Sequence, residues 1–158
     1  MQVISEKATE NSLSAGDILS IENIKVVHNS IFEKKPYHAG SFRNANVNIG
    51  VDYTLIEKEL NETFDLYKNY IANNKYNEDE IAIRLHHRLI LVHPFVDGNG
   101  RLARLIADIL ITIFYCRSQF TWMNSNLNSY EEPRRRYIAA LRKADAGHFD
   151  DLIVFARS

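Results

Sequence analysis

His93-Pro94-Phe95-Val96-Asp97-Gly98-Asn99-Gly100-Arg101-Leu102-Ala103-Arg104 gathers an imidazole, a carboxylate, two glycines, an asparagine and two arginines into one short run. The apolar segment Leu89-Ile90-Leu91-Val92 leads in, and a second apolar segment from Leu102 to Phe114 leads out. The run therefore reads as a loop that opens a helix. Gly98 and Gly100 can take backbone angles closed to other residues, so that successive N–H groups converge on an anion. The helix starting near Gly100 adds the positive end of its dipole. Arg101 and Arg104 share a face of its first turn. Asp97 is a hard oxygen ligand of the kind that Mg²⁺ on bound phosphates takes. His93 is a base that works near neutral pH.

The helix after this loop is apolar nearly all round (Leu102, Leu105, Ile106, Ile109, Leu110, Ile113, Phe114), the pattern of a central, buried helix. One stripe is polar: Arg101, Arg104, Asp108 and Thr112. Arg104 and Asp108, four apart, suit a helix-surface pair worth a few tenths of a kcal/mol. Two arginines in the first turn of a buried helix favour a phosphate instead. Phe95 reads as the plug that seats the loop on the core.

Outward from this centre the pattern is helical. Asp17 is placed to cap a helix carrying Ile18, Ile21, Ile24, Val27 and Ile31, ended by Pro36. A helix over 54–72 buries Ile56, Leu60, Phe64, Tyr67 and Ile71. Asn77 and Glu80 form a capping-box pattern ahead of Ile81, Leu85, Leu89 and Val92, and Pro94 stops that helix. Ser41 to Gly50 reads as a short hairpin, with Phe42, Val47 and Ile49 as strand residues and Asn44-Ala45-Asn46 as the turn. Trp122 falls in a short extended connection and suits packing, with stacking on a base as the alternative. Asn124 to Tyr130 reads as a polar loop. Pro133 suits a first helical turn before Tyr137, Ile138 and Leu141, and Gly147 ends that helix. Asp150 is placed to cap a last helix with Leu152, Ile153 and Phe155. His86 and His87 point to different sides of their helix, and His86 lies two turns from His93, so the three do not make a zinc site.

The chain of 158 residues is long enough for a real core and reads as an arm over 1–16 and one domain over 17–158. A net charge of −1 gives no field to draw nucleic acid or an anionic membrane. Arg134-Arg135-Arg136 reads as a solvated face. The lone Cys116 excludes an internal disulfide and fits a reducing, cytoplasmic setting. No leader is read at Met1-Gln2-Val3-Ile4-Ser5-Glu6-Lys7, and no run suits a membrane span.

The loop resembles the Fic (Fido) signature, His-x-Phe-x-(Asp/Glu)-Gly-Asn-Gly-Arg-x-x-Arg. His93, Phe95, Asp97, Gly98, Asn99, Gly100, Arg101 and Arg104 fill every fixed position. The likeness runs from about Ala39 to the C-terminus and is closest to the branch called mobile mystery protein B. It implies an all-α bundle around a central buried helix, with the hairpin as a flap over the active site. Gly40-Ser41-Phe42-Arg43 would open that flap, and Arg43, Val47 and Ile49 would dock a target segment by strand addition. The residues from Tyr137 to Arg157 would help wall the nucleotide pocket.

What the resemblance implies chemically is a protein adenylyltransferase. His93 would take the proton from a Ser, Thr or Tyr hydroxyl of a target protein. ATP is the co-substrate and Mg²⁺ the metal, held by Asp97. Gly98, Asn99 and Gly100 would cradle phosphates, Arg101 the leaving ones and Arg104 the γ-phosphate. Alternatives within the family are another donor (UTP, GTP or CDP-choline) or removal of AMP. A non-catalytic module that binds nucleotides or partners is the alternative of another class. Fic proteins are often restrained by a helix with the pattern (Ser/Thr)-x-x-x-Glu-(Gly/Asn). Glu10-Asn11 and Glu22-Asn23 have its ending but lack its hydroxyl residue. The inhibitory glutamate is therefore expected from a degenerate segment such as the N-terminal arm, from an antitoxin-like partner, or from a segment missing from this sequence. The target protein and the oligomeric state are left open.

Overall fold

The structure is a computed structural model and describes residues 14–34, 36–125 and 131–158. Glu10, most of the arm over 1–16 and most of the polar loop over 124–130 lie outside the described residues. Among the described residues seven α-helices carry the chain: α1 (Ala15–Ile18), α2 (Ile21–Ser30), α3 (Ile56–Ala72), α4 (Glu78–Val92), α5 (Asn99–Ile109), α6 (Glu131–Asp145) and α7 (Asp150–Arg157). Helix α5 runs on as a π-helical turn over Leu110–Phe114.

Helices α4 and α5 form the central pair, joined by the His93 loop. Helix α4 begins where the Asn77 side chain accepts the Glu80 N–H at 2.9 Å, and Glu78, Asp79 and Glu80 complement the dipole of its first turn. It ends at Val92 because His93 turns left-handed, with φ 52°. Pro94 follows with no N–H to continue the ladder. Leu102, Ala103, Ile106 and Ala107 of α5 are fully buried. They pack α5 on α4 and α2, while α3 and α7 close on α4. Arg157 of α7 grips Asp79 through two nitrogens, one bond at 2.8 Å, and so fixes the last helix to the start of α4.

Three local expectations are corrected. The single helix from Asp17 is two, because Ser20 interrupts it and caps α2 by accepting the Asn23 N–H at 3.1 Å. Ser14, not Asp17, caps α1; Asp17 is its capping-box partner and accepts the Ser14 N–H at 2.8 Å. In α7 the cap position is Phe149, and Asp150 is the first helical residue.

The largest correction is the flap. No strand forms among the described residues, and 41–51 is an irregular stretch. Its backbone groups pair with the His93 loop rather than across a hairpin. Arg43 N–H donates to the Pro94 carbonyl at 3.0 Å, and Val51 N–H to the Val92 carbonyl at 3.3 Å. The expected turn residue Asn46 instead donates to Asp52 at 3.0 Å and accepts the Tyr53 N–H at 2.8 Å. The two ends of the stretch are thus tied to the loop and the end of α4 instead of to each other.

Candidate active site

The loop is held from inside by its own asparagine. Asn99 accepts the Phe95 N–H at 2.9 Å and donates to the Phe95 carbonyl at 2.8 Å. The side chain is buried and both its functional groups face the loop, so any phosphate contact at this position falls to the backbone N–H. Phe95 is fully buried and contributes about 1.5–3 kcal/mol toward seating the loop. Gly98 caps α5 with φ 77°. A Cβ at Gly98 would meet Ile31 Cδ1 at 3.0 Å and Phe32 Cζ at 3.2 Å, so both the left-handed angle and the close packing call for glycine.

His93 sits at the end of α4 in a left-handed conformation that side chains rarely adopt. Arg43 explains how it persists. The guanidinium is buried, only 3% exposed. It donates to the carbonyls of His93 (2.7 Å) and Ala45 (3.0 Å), and also to that of Val51. Expected on the docking flap, Arg43 points inward and clamps the loop. Val47 and Ile49, 46% and 59% exposed, remain on the outer surface. Burial, then the Arg43 charge, lowers the His93 pKa below its ordinary value; the nearby Ile90 carbonyl opposes this weakly. His93 is therefore neutral at pH 7 and able to accept a proton. Its Nδ1 is buried without a well-formed hydrogen bond, which leaves Nε2 as the nitrogen for a substrate.

The charged groups of the loop gather at the head of α5. Asp97 and Arg101 form an exposed pair at 3.3 Å, a contact worth at most about 1 kcal/mol and easily exchanged for a ligand. Arg104 has no acidic partner in ion-pair contact among the described residues. Its guanidinium lies 5.9 Å from the Tyr137 ring centre, with Nη1 folded over Gly100. Asp108, the alternative helix partner of Arg104, accepts from Trp122 Nε1 at 3.1 Å and Gln119 Nε2 at 3.4 Å. Trp122 is thereby a buried packing residue.

Beside the loop, a groove of about 300 Å³ opens between α4 and α6. Ile90 and Leu91 line it from α4, Ile138 and Leu141 from α6, and Ile49 and Gly50 from the stretch over the loop. His87 and Asp145, paired at 2.8 Å, and Arg142 supply its polar side. Its apolar walls and few polar groups suit a nucleoside. Gly50 is required where groove meets loop: φ is 102°, and a Cβ would lie 2.7 Å from His93 Cβ. His86 turns the other way, fully buried, to Tyr137 Oη at 2.8 Å.

A family model described as Fic/DOC matches residues 18–111. The chain belongs to the Fic/DOC family. The match begins well before Ala39, so it takes in α2 as well as the loop and helix α5. The chain is 32% identical over 146 residues to protein adenylyltransferase fic-1 of Caenorhabditis elegans, covering 89% of this chain and 26% of that one. It is 23% identical over 103 residues to protein adenylyltransferase Fic of Nematostella vectensis, covering 63% of this chain and 24% of the relative. The chain thus spans about a quarter of the length of these relatives. The solved structure of Fic-1 (residues 134–508) from C. elegans superposes with a TM-score of 0.73 at 26% identity, over 98% of this chain and 44% of that one. A Fic-domain signalling protein from Bacteroides thetaiotaomicron gives 0.73 at 19% identity, over 98% of this chain and 62% of that one, a likeness of fold. No helix among the described residues is long and apolar enough to cross a membrane.

Three residues of this site escaped sequence reasoning. His28 of α2 follows Ile24 by one turn, on the buried face, where a polar residue signals a specific partner. Gly50 and Asp145 carried no local signal, because their neighbours are distant in the chain.

Proposed function

We propose that the chain transfers AMP from ATP to a Ser, Thr or Tyr hydroxyl of a target protein. The observation that carries this reading is the pairing of a neutral, backbone-clamped His93 with a glycine-opened helix start where, among the described residues, Arg104 makes no ion-pair contact with an acidic group. The relatives' names, protein adenylyltransferase, support the same class.

ATP would lie with its nucleoside in the α4/α6 groove and its phosphates at the Gly98–Gly100 backbone. Arg101 would hold the leaving phosphates and Arg104 the γ-phosphate. His93 Nε2 would take the proton of the incoming hydroxyl as its oxygen bonds to the α-phosphorus, and the bond to the pyrophosphate oxygen would break in line. The N–H groups of the loop would stabilise the equatorial oxygens. Mg²⁺ fits this site. Asp97 is half-exposed at the loop mouth, and Mg²⁺ typically takes one or two carboxylates plus substrate phosphates rather than an all-protein cage. When bound there it would neutralise charge on the phosphates. Val47 and Ile49 would meet the target segment.

The test is incubation with labelled ATP and Mg²⁺, alone and with cell extract, followed by mass spectrometry. A hydroxyl residue carrying AMP is expected, and none in His93→Ala, with ATP affinity nearly intact. Labelled UTP, GTP and CDP-choline run in parallel identify the donor. Binding of ATP with no transfer under any donor would overturn the enzymatic reading.

A further inference from the structure

We propose that His28 is a positioning residue that aims the anion-binding backbone of the His93 loop and ties the root of the overlying stretch to it. The proposal rests on the transfer reading above for its kinetic consequences, and on geometry for its structural ones.

His28 is fully buried in α2, and both of its ring nitrogens are engaged. Nδ1 lies 2.9 Å from the Gly40 N–H, which is only a donor, so Nδ1 accepts. Nε2 lies 2.9 Å from the Asp97 carbonyl, which is only an acceptor, so Nε2 donates. The partners therefore dictate one neutral tautomer, with the proton on Nε2. The ring lies flat on Phe95, with centroids 3.6 Å apart and planes 5° from parallel. It also stands 3.4 Å from where a Cβ on Gly98 would be. One side chain thus touches the plug, the cap and the carbonyl between them.

The consequence follows from peptide geometry. In a planar trans peptide the C=O and N–H point in opposite directions. Drawing the Asp97 carbonyl inward to His28 turns the Gly98 N–H outward, toward the loop mouth. His28 thereby sets the direction of a donor that the phosphate reading needs, without touching substrate. Through Gly40 it also holds the start of the stretch containing Arg43, which clamps the same loop from the other side.

Two substitutions divide the two bonds. His28→Asn keeps an acceptor near the Nδ1 position and loses the donor to Asp97. His28→Gln keeps a donor near the Nε2 position and loses the acceptor for Gly40. With thermal unfolding confirming that both fold, His28→Asn is expected to lower kcat about tenfold to hundredfold, the usual effect of losing a residue that orients an active-site group. KM for the target is expected to change little. His28→Gln is expected to recover most of that loss. Equal kcat in the two folded variants would overturn the proposal.

A readout independent of catalysis accompanies this. In the ¹⁵N-histidine-labelled chain, His28 is expected to show a protonated Nε2 and an unprotonated Nδ1; the reverse tautomer overturns the proposal even if transfer is normal. If the wild-type chain transfers nothing, the transfer reading fails while His28 is still judged. ATP affinity by calorimetry should then fall in His28→Asn and return in His28→Gln, and equal affinities would reject the positioning role.

Discussion

The Arg43 Nε–H donates to the main-chain carbonyl of His93 at 2.7 Å across fifty residues of sequence. A buried cation thus holds the loop histidine by its backbone while lowering the pKa of its ring. Arg43→Met strands buried carbonyls and is expected to destabilise the fold by about 2–5 kcal/mol. It also removes the charge that disfavours the imidazolium, so the His93 pKa rises. The acidic limb of kcat/KM, set by the free base, then moves to higher pH. Arg43→Lys keeps the charge without the fork of donors; its limb stays in place while its urea midpoint falls. A limb unmoved in Arg43→Met would show that the Arg43 charge does not act on His93.

Gly50 tests the seam between groove and loop. Gly50→Ala sets a methyl 2.7 Å from His93 Cβ and 3.1 Å from the Val92 carbonyl, in a backbone region hostile to side chains. The neighbours that must move are His93 itself and the Arg43 guanidinium that clamps its carbonyl, 2.9 Å from the methyl. Transfer is expected to fall at least about tenfold, since small misplacements of a reacting group are costly. Circular dichroism should show the helices unchanged. Full activity in this variant would mean that His93 tolerates displacement.

Asp97 is the one carboxylate of the loop. Asp97→Ala is expected to remove most transfer and the saturable response to Mg²⁺, with pyrophosphate release measured across a Mg²⁺ titration. It also frees Arg101 from its 3.3 Å partner, so ATP affinity without metal is expected to hold or rise. An unchanged Mg²⁺ titration would place the ligand elsewhere.

The helices and the loop were legible because their signals are local. Apolar periodicity placed α3, α4 and α5, and the spacing from His93 to Arg104 carried the family. What was not legible depends on contacts across the chain. The stretch over 41–51 has strand composition, yet its backbone partners are Val92 and Pro94, which no short-range pattern reveals. Arg43 reads as a surface residue until those carbonyls are seen around it. The α1 cap was misplaced because Ser14 and Asp17 are reciprocal partners of one capping box, and the α7 cap because the chain enters that helix at Phe149 with no side-chain cap.

Stability should fall in mild acid, and the sign follows from the histidines. Burial lowers the pKa values of His28 and His93, and takes His86 down to about 3. The unfolded chain titrates near 6.5, so it binds protons first as pH falls, and stability drops with it. Above about pH 7.5 these groups contribute no slope. Below about 6.5 each contributes up to about 1.4 kcal/mol per pH unit until its folded pKa is reached. The carboxylates Asp52 and Asp79, with lowered pKa values, lose their contribution only at still lower pH. Urea midpoints measured from about pH 7.5 to about pH 5 should decline, and less steeply in His86→Gln. A flat profile over that range would rule out buried neutral histidines.

Arg104 makes no ion-pair contact with an acidic group among the described residues although it stands at the head of a buried helix, beside the backbone proposed to cradle phosphates. A glutamate placed there would occupy the position proposed for the γ-phosphate and hold ATP in an unproductive pose. Glu22 is exposed in the first turn of α2, and Glu10 lies outside the described residues. Deleting residues 1–13 leaves Ser14 to cap α1, so the deletion isolates the segment bearing Glu10. If the glutamate acts in cis, that deletion, Glu10→Gly or Glu22→Gly raises self-labelling by ATP about ten- to hundredfold, the worth of one charge-assisted contact. If an antitoxin-like partner supplies it, the isolated chain labels freely and adding that partner suppresses it. Arg104→Ala distinguishes either case from simple loss of substrate, because it abolishes the response to the glutamate as well as weakening ATP. A chain whose labelling rate ignores the deletion, the substitutions and every added partner has no glutamate acting on Arg104.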